Sequence, residues 1–425
     1  MRRFILGIAT GTLLLLLAGC TGPHLGDRNG WSDAQKREFE RILSTDAYAS
    51  RCQLTPLYRS YQRTQDTALL SRILVGYAEN LANSCIDIPA YKKIEKERNK
   101  RGIRSHFSFH TQRVSASTVL SALRSGETLE EILAPYMPKN PEFSRLLAYY
   151  RDGAASGAEA RKLFMSLQRA KVMSDDGWKS YFLVNIPEFK VRFFENGQLR
   201  FAIPVIVGQK KWQTPIFSAK MKYVVLNPTW NVPDNIARAE EIPNLLRHKN
   251  YFKRKHMIVL RDYTIDSRPV DPRTVPWRNY LRSEWKKREL PYKLIQLPGS
   301  GNALGRVKFM FPNPYSVYMH DTNRKSLFRH SMRAFSHGCI RLAKPMLMLE
   351  YLATHGYLAD DWPTIQKKLA TMKLQTVSLR TPLPVHVAYF TAYADDSGLH
   401  FFPDIYGYDT IMPIKKASEN GASKL

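Results

Sequence analysis

The sequence predicts an α+β protein, in which a helical N-terminal domain precedes a β-rich domain broken by a capping insertion. Three observations predict it. From Ser32 to about Ser174 apolar residues recur at spacings of three and four, as in Leu69, Leu70, Ile73, Leu74, Tyr77 and Leu81, the period that lines one side of a helix. After Asp175-Asp176-Gly177 the text changes to short aromatic and β-branched runs, which favour strands. Between about Ile236 and Pro298 that strand texture lapses into mixed, proline-containing sequence, and so long an insertion in a β domain has the character of a lid or binding loop.

Taken in order, residues 1–20 read as an export signal. Arg2-Arg3 supplies the positive end, Phe4 to Leu17 is an apolar stretch of about 14 residues, and Leu17-Ala18-Gly19-Cys20 has the form of a bacterial lipobox. The stretch is shorter than the roughly 20 apolar residues a bilayer span needs. Cys20 is therefore expected to carry lipid and to begin the mature chain.

Residues 21–177 form the helical domain. Ser115 ahead of Val119-Leu120-Leu123, and Thr128-Leu129-Glu130-Glu131 with capping-box spacing, mark helix starts. His106 and His110 lack a carboxylate or Cys partner nearby in sequence and are assigned no metal. The β-rich domain occupies 178–410, with the capping insertion at 236–298 and a disordered tail at 411–425. Its strands include Tyr181-Phe182-Leu183-Val184-Asn185-Ile186 and Lys190-Val191-Arg192-Phe193-Phe194, after which Glu195-Asn196-Gly197 supplies a turn.

The chain has 425 residues with 44% hydrophobic and 24% charged, the composition of a folded protein and not of a disordered one. Its 64 Lys+Arg against 37 Asp+Glu leave a net charge of +27, a field that draws polyanions. The basic residues are spread along the chain instead of forming an arm, and the signal directs it outward, so anionic envelope polymer or lipid is the expected partner and nucleic acid is not. Export leaves Cys52, Cys85 and Cys339 where disulfides form. Cys52 and Cys85 lie close together in the helical region and make the economical pair, which leaves Cys339 as an unpaired thiol.

Cys339 sits in Ser336-His337-Gly338-Cys339-Ile340-Arg341, 19 positions after His320. Period two puts Tyr318 and His320 on one strand face with Val317 and Met319 on the other, and the polar stretch 321–335 should loop so that His320 and Cys339 meet. A thiol is mostly protonated at neutral pH, and an imidazole can take that proton and return one to a leaving amine. Gly338 permits a tight turn that brings the Gly338 or Cys339 N–H toward an oxyanion, a helix after Cys339 would favour the thiolate, and Arg341 adds a fixed positive charge. His330 competes with His320 as base, although its polar loop suits a solvated imidazole. His337 is open between base, hydrogen-bonding support and structure. Zinc held by His320, His337 and Cys339 lacks a close ligand pair.

The stretch Tyr318-Met319-His320-Asp321-Thr322 through Arg333-Ala334-Phe335-Ser336-His337-Gly338-Cys339-Ile340-Arg341 resembles the active-site signature of the L,D-transpeptidases, the YkuD-type family that cross-links peptidoglycan. The resemblance spans roughly 178–410, taking in Asn227-Pro228-Thr229-Trp230-Asn231-Val232-Pro233, Leu304-Gly305-Arg306-Val307-Lys308-Phe309 and Asp404-Ile405-Tyr406-Gly407-Tyr408-Asp409, and looks most like the larger YcbB-like branch with its capping insertion. It implies a thioester on Cys339 and release of D-alanine from a stem tetrapeptide. A neighbouring stem then accepts the acyl group in a 3-3 cross-link, with His320 as proton donor and acceptor. It implies further that the His337 carbonyl contacts the catalytic imidazole, that Tyr318, Ser336, Arg341 and Trp230 bind substrate, that carbapenems acylate the same Cys, and that no metal or organic cofactor is needed. Peptidoglycan stems and, through the lipid anchor, a bacterial membrane are the expected partners, with the outer periplasmic membrane favoured over the inner. Water, a lipoprotein or a D-amino acid as acceptor, or a non-catalytic wall-binding lipoprotein, are the alternatives.

Overall fold

The computed structural model describes residues 26–262, 267–285 and 288–417. The export signal, Cys20 and the last eight residues lie outside the described residues.

The helical region begins where its caps are written. Ser32 and Gln35 close a capping box on the helix Asp33–Thr45, and Thr128 with Glu131 does the same for Leu129–Leu133, each satisfying N–H groups that have no partner inside the helix. The longest helix among the described residues, Thr67–Asn83, buries Leu70, Ile73, Leu74, Tyr77 and Leu81 completely. Cys52 and Cys85 are joined in a disulfide beside Ala49, whose carbonyl accepts from Gln168 Nε2 at 2.8 Å and from the buried Lys171 Nζ at 2.6 Å.

From residue 181 the chain is mostly strand. β1 (Tyr181–Asn185), β2 (Lys190–Glu195), β3 (Gln198–Gly208) and β4 (Phe217–Leu226) precede the insertion. β5 (Trp230–Asn231), β6 (Met257–Leu260) and β7 (Lys293–Gln296) form a small sheet of their own. β8 (Val307–Met310), β9 (Met319–His320), β10 (Ala334–Ser336), β11 (Ile340–Leu342) and β12 (Gln375–Ala388) complete the main sheet, and β13 (Ala392–Asp395) pairs with β14 (Gly398–Phe401). The nine-stranded main sheet runs β10-β3-β11-β9-β8-β4-β12-β1-β2, with a further pairing of β2 to β3. Asn196 and Gly197, both at positive φ, make the predicted β2–β3 hairpin turn.

β1 shows why its sequence is apolar throughout. Phe182 and Val184 join the core shared with the helices Pro345–Thr354 and Trp362–Ala370, while Tyr181 and Leu183 face the core of the helical region. A strand covered on both faces loses the apolar-polar alternation of a half-exposed one. Each such side chain removed from water contributes about 1.5–3 kcal/mol.

The structure corrects three expectations. The insertion begins earlier than residue 236: Trp230 and Asn231 already pair with β7, and Val232 joins Ile242, Phe252, Val259, Trp277 and Leu294 in a separate small core. The tail expected to be disordered from 411 is docked as far as it is described. Met412 is buried, Ile414 bridges to Ile86, and the Lys415 N–H donates to the Cys85 carbonyl at 2.8 Å. The third is corrected only in its effect: the helix expected over Pro345 to Tyr351 forms as Pro345–Thr354, but β11 stands between it and Cys339, so its dipole does not act on this thiol.

Candidate active site

Strand register assembles the site. Across five neighbouring strands Thr376 pairs with Val225, Val225 with Lys308, Lys308 with His320, and His320 with Arg341. Because residues two apart share a face, Tyr318 stands beside His320 and Cys339 beside Arg341, while Met319 and Ile340 point into the core. The Ile340 N–H donates to the Tyr318 carbonyl at 3.1 Å, continuing the β9–β11 pairing to the level of Cys339. His320 and Cys339 are therefore diagonal neighbours on one polar face.

This face is the floor of a cavity of about 920 Å³ that is also lined by Trp230, Ser336, His337 and, from the insertion, Asn235, Glu240, Tyr251 and Lys255. The insertion thus roofs the nucleophile.

His320 is 3% exposed, and its Nδ1 lies 2.5 Å from the Asp321 carbonyl oxygen. A carbonyl only accepts, so Nδ1 carries the proton and Nε2 offers a lone pair. Burial, and next the Arg341 charge, pull the imidazole down to about 3, which keeps it neutral at physiological pH. Asp321 is held in turn by the Arg306 N–H at 2.9 Å and by Lys325 Nζ at 2.5 Å. Gly305 is required beneath it, because at φ +61° a Cβ would stand 2.2 Å from the Asp321 carboxyl carbon. The resemblance placed the His337 carbonyl against the imidazole; the recorded Nδ1 partner is the Asp321 carbonyl instead.

Cys339 is the free cysteine among the described residues and is partly open to the cavity. Desolvation raises its thiol above the ordinary value, while the Tyr318 backbone, Lys308 and Arg341 pull the other way. The resting pair is thus neutral thiol and neutral imidazole. Alkylation of Cys339 by iodoacetamide should climb about tenfold per pH unit to beyond pH 9; a rate plateau between pH 5 and 8 would show a preformed ion pair and contradict this reading.

Lys308 is the residue sequence reasoning missed. Its ammonium lies 4.3 Å from the Tyr318 ring centroid and acts on the Cys339 thiol. Part of the signal was present: Lys308 stands between the apolar Val307 and Phe309, so period two sets it on the face opposite the core, and the β8–β9 pairing makes that the face of Tyr318 and His320.

The other predicted residues take different places. Ser336 is buried, and its hydroxyl donates to the Cys339 carbonyl at 2.6 Å and accepts from the Gly338 N–H at 3.1 Å. It shapes the turn and does not present its hydroxyl to a ligand. Gly338 has φ +119°, which disfavours any side chain there. His337 packs on Trp212 with ring centroids 4.1 Å apart, and its Nε2 is 3.0 Å from Glu240 Oε1 of the insertion, in contact without hydrogen-bond alignment. The Arg341 Nε is buried and, among the described residues, has no hydrogen-bond partner. His330 is exposed. His106 stacks on Tyr315, and among the described residues no group of three or more His, Cys, Asp or Glu could hold a metal.

Residues 179–355 match the family model for the YkuD L,D-transpeptidase catalytic domain. The chain carries an L,D-transpeptidase catalytic domain. A curated putative L,D-transpeptidase of Haemophilus influenzae is 32% identical over 251 residues, covering 59% of this chain and 48% of that protein. The chain therefore spans about half the length of this curated relative. Solved structures similar to it include an L,D-transpeptidase from Mycobacterium smegmatis, at 12% identity and TM-score 0.22 over 49% of this chain and 58% of that one. Another is an L,D-transpeptidase in complex with imipenem, at 13% identity and TM-score 0.21 over 49% and 59%. The matched L,D-transpeptidase domain contains β1 to β11 and the whole Lys308, His320, Cys339 and Arg341 face, whereas β12 and the Tyr406-Gly407-Tyr408 segment lie beyond its end.

Proposed function

We propose that this protein is a peptidoglycan L,D-transpeptidase working through a thioester on Cys339. The observation that carries the reading is the placement of Cys339, His320 and Arg341 on one face under the roof of the insertion. His320 Nε2 takes the Sγ proton as sulfur bonds to the stem carbonyl, and the imidazolium then protonates the leaving amine of D-alanine. The amine of a second stem attacks the thioester, its proton passes through His320 to sulfur, and the thiol is restored. The Arg341 guanidinium, whose buried Nε–H has no acceptor among the described residues, suits a substrate carboxylate.

Carbapenems would acylate the same thiol, and lipid on Cys20 would hold the protein at the periplasmic face of a bacterial membrane, with the outer membrane favoured. Hydrolysis to a tripeptide, attachment of a lipoprotein and exchange of D-amino acids share the thioester and differ only in acceptor. Purified protein incubated with tetrapeptide muropeptides should yield cross-linked dimers of stem peptides and free D-alanine by mass spectrometry. Tripeptide alone would reassign the protein as a carboxypeptidase, and binding of sacculi with no turnover would reduce it to a wall-binding lipoprotein.

A further inference from the structure

The polar network beneath the nucleophile reaches out of the matched catalytic domain. Thr214, fully buried, donates its hydroxyl to the Gly338 carbonyl at 2.8 Å and accepts from the Gly208 N–H at 2.8 Å. Tyr406, 1% exposed, donates to the Gly208 carbonyl at 2.6 Å and accepts from the Thr214 N–H at 3.2 Å. Tyr408 donates to Gln213 Oε1 at 2.8 Å, and the Tyr406 N–H is bound in turn by the Tyr389 hydroxyl at 2.8 Å. Each hydroxyl hydrogen has one acceptor, so these bonds specify one arrangement.

That arrangement fixes a peptide plane. In a trans peptide unit the C=O and the following N–H point in opposite directions. Holding the Gly338 carbonyl on the buried Thr214 therefore turns the Cys339 N–H away from Thr214. We propose that Thr214, locked by Tyr406 from outside the matched domain, is a positioning residue that aims the Cys339 N–H at the oxyanion of the tetrahedral intermediate. This rests on the acyl-transfer reading above. No new bond is made or broken by it: the negative charge that develops on the carbonyl oxygen when sulfur adds, and disappears when the leaving group departs, is met by that N–H.

Two reactions of the same thiol separate this role from a structural one. Acylation by a carbapenem passes through an oxyanion, whereas alkylation by iodoacetamide is a displacement at carbon that forms none. In the full-length protein at pH 9, Thr214→Val should slow carbapenem acylation of Cys339, followed by mass spectrometry, by about 10²-fold, in the range seen on losing an oxyanion donor. Alkylation should change by less than about twofold on this reading, because it needs no oxyanion stabilisation. Thr214→Ser should restore acylation. Tyr406→Phe keeps the ring, removes the bond to the Gly208 carbonyl, and should show the same split at smaller amplitude; it decides the matter if Thr214→Val does not fold. Equal loss of both reactions, or loss of neither, overturns the proposal. A wild-type protein that is alkylated but never acylated at Cys339 overturns the functional reading, and with it this one, and the wild-type control tells the two failures apart.

Discussion

Cys339→Ala is expected to end acyl transfer, lowering product formation from tetrapeptide muropeptides by about 10⁴-fold or more, as loss of a covalent nucleophile does. The hydroxyls nearest Cys339 are poorly placed to replace the sulfur. Ser336, the nearest hydroxyl in sequence, donates to the Cys339 carbonyl inside the turn, and Ser316 meets Sγ through its backbone carbonyl, at 3.9 Å. The side chain is small and partly open to the cavity, so the thermal midpoint should stay close to that of the wild type, and sacculus binding should persist. Product formed at the wild-type rate by this variant would remove Cys339 from the mechanism.

His320→Asn should cost about 10²–10⁴-fold in acylation, the usual contribution of a positioned base. An asparagine amide can still donate toward the Asp321 carbonyl, so the variant removes the lone pair at Nε2 more than the local structure. The pH dependence gives the sharper check. A group pulled down to about 3 binds its proton only below that pH, so its base form prevails at every pH above it. Wild-type acylation should therefore show no acid limb near pH 6.5, where an ordinary imidazole titrates, and should weaken through protonation of His320 only as the pH approaches 3. The variant, dependent on thiolate alone, should accelerate steadily as pH rises. A wild-type midpoint near 6.5 would mean that His320 titrates as an ordinary solvated imidazole.

The helical and β-rich halves were legible because their periodicities differ: Leu70, Ile73, Leu74, Tyr77 and Leu81 declare a helix face, and Tyr318, Met319 and His320 a strand. The Cys339 and His320 pair was legible because one loop returns the chain to the same sheet. What escaped depends on pairings between distant segments. Lys308 looks like any strand lysine until β8 is set against β9. Thr214, Gly338 and Tyr406 are separated by 124 and 192 positions, and no local pattern announces their contact. The described start of the tail escaped for the same reason, since Lys415 is polar by composition and is held by the distant Cys85 carbonyl and Asn80 side chain. The helix over Pro345–Thr354 stands where the apolar run places it, but β11 separates it from Cys339, and the charges that act on the thiol come from Lys308 and Arg341.

The position of β12 also sets the order in which this protein can be built. It pairs with β1 on one side and β4 on the other, so the main sheet, already continuous through the β2–β3 pairing, cannot close between β1 and β4 until residue 388 has emerged. Tyr406, which braces the turn at Gly338, comes later still. Contacts of such long sequence separation form late, because loop closure must precede them. A nascent or truncated chain that stops short of residue 388 thus displays unpaired edges on β1 and β4, and its thiol acquires a finished setting only after nearly the whole polypeptide is free to fold.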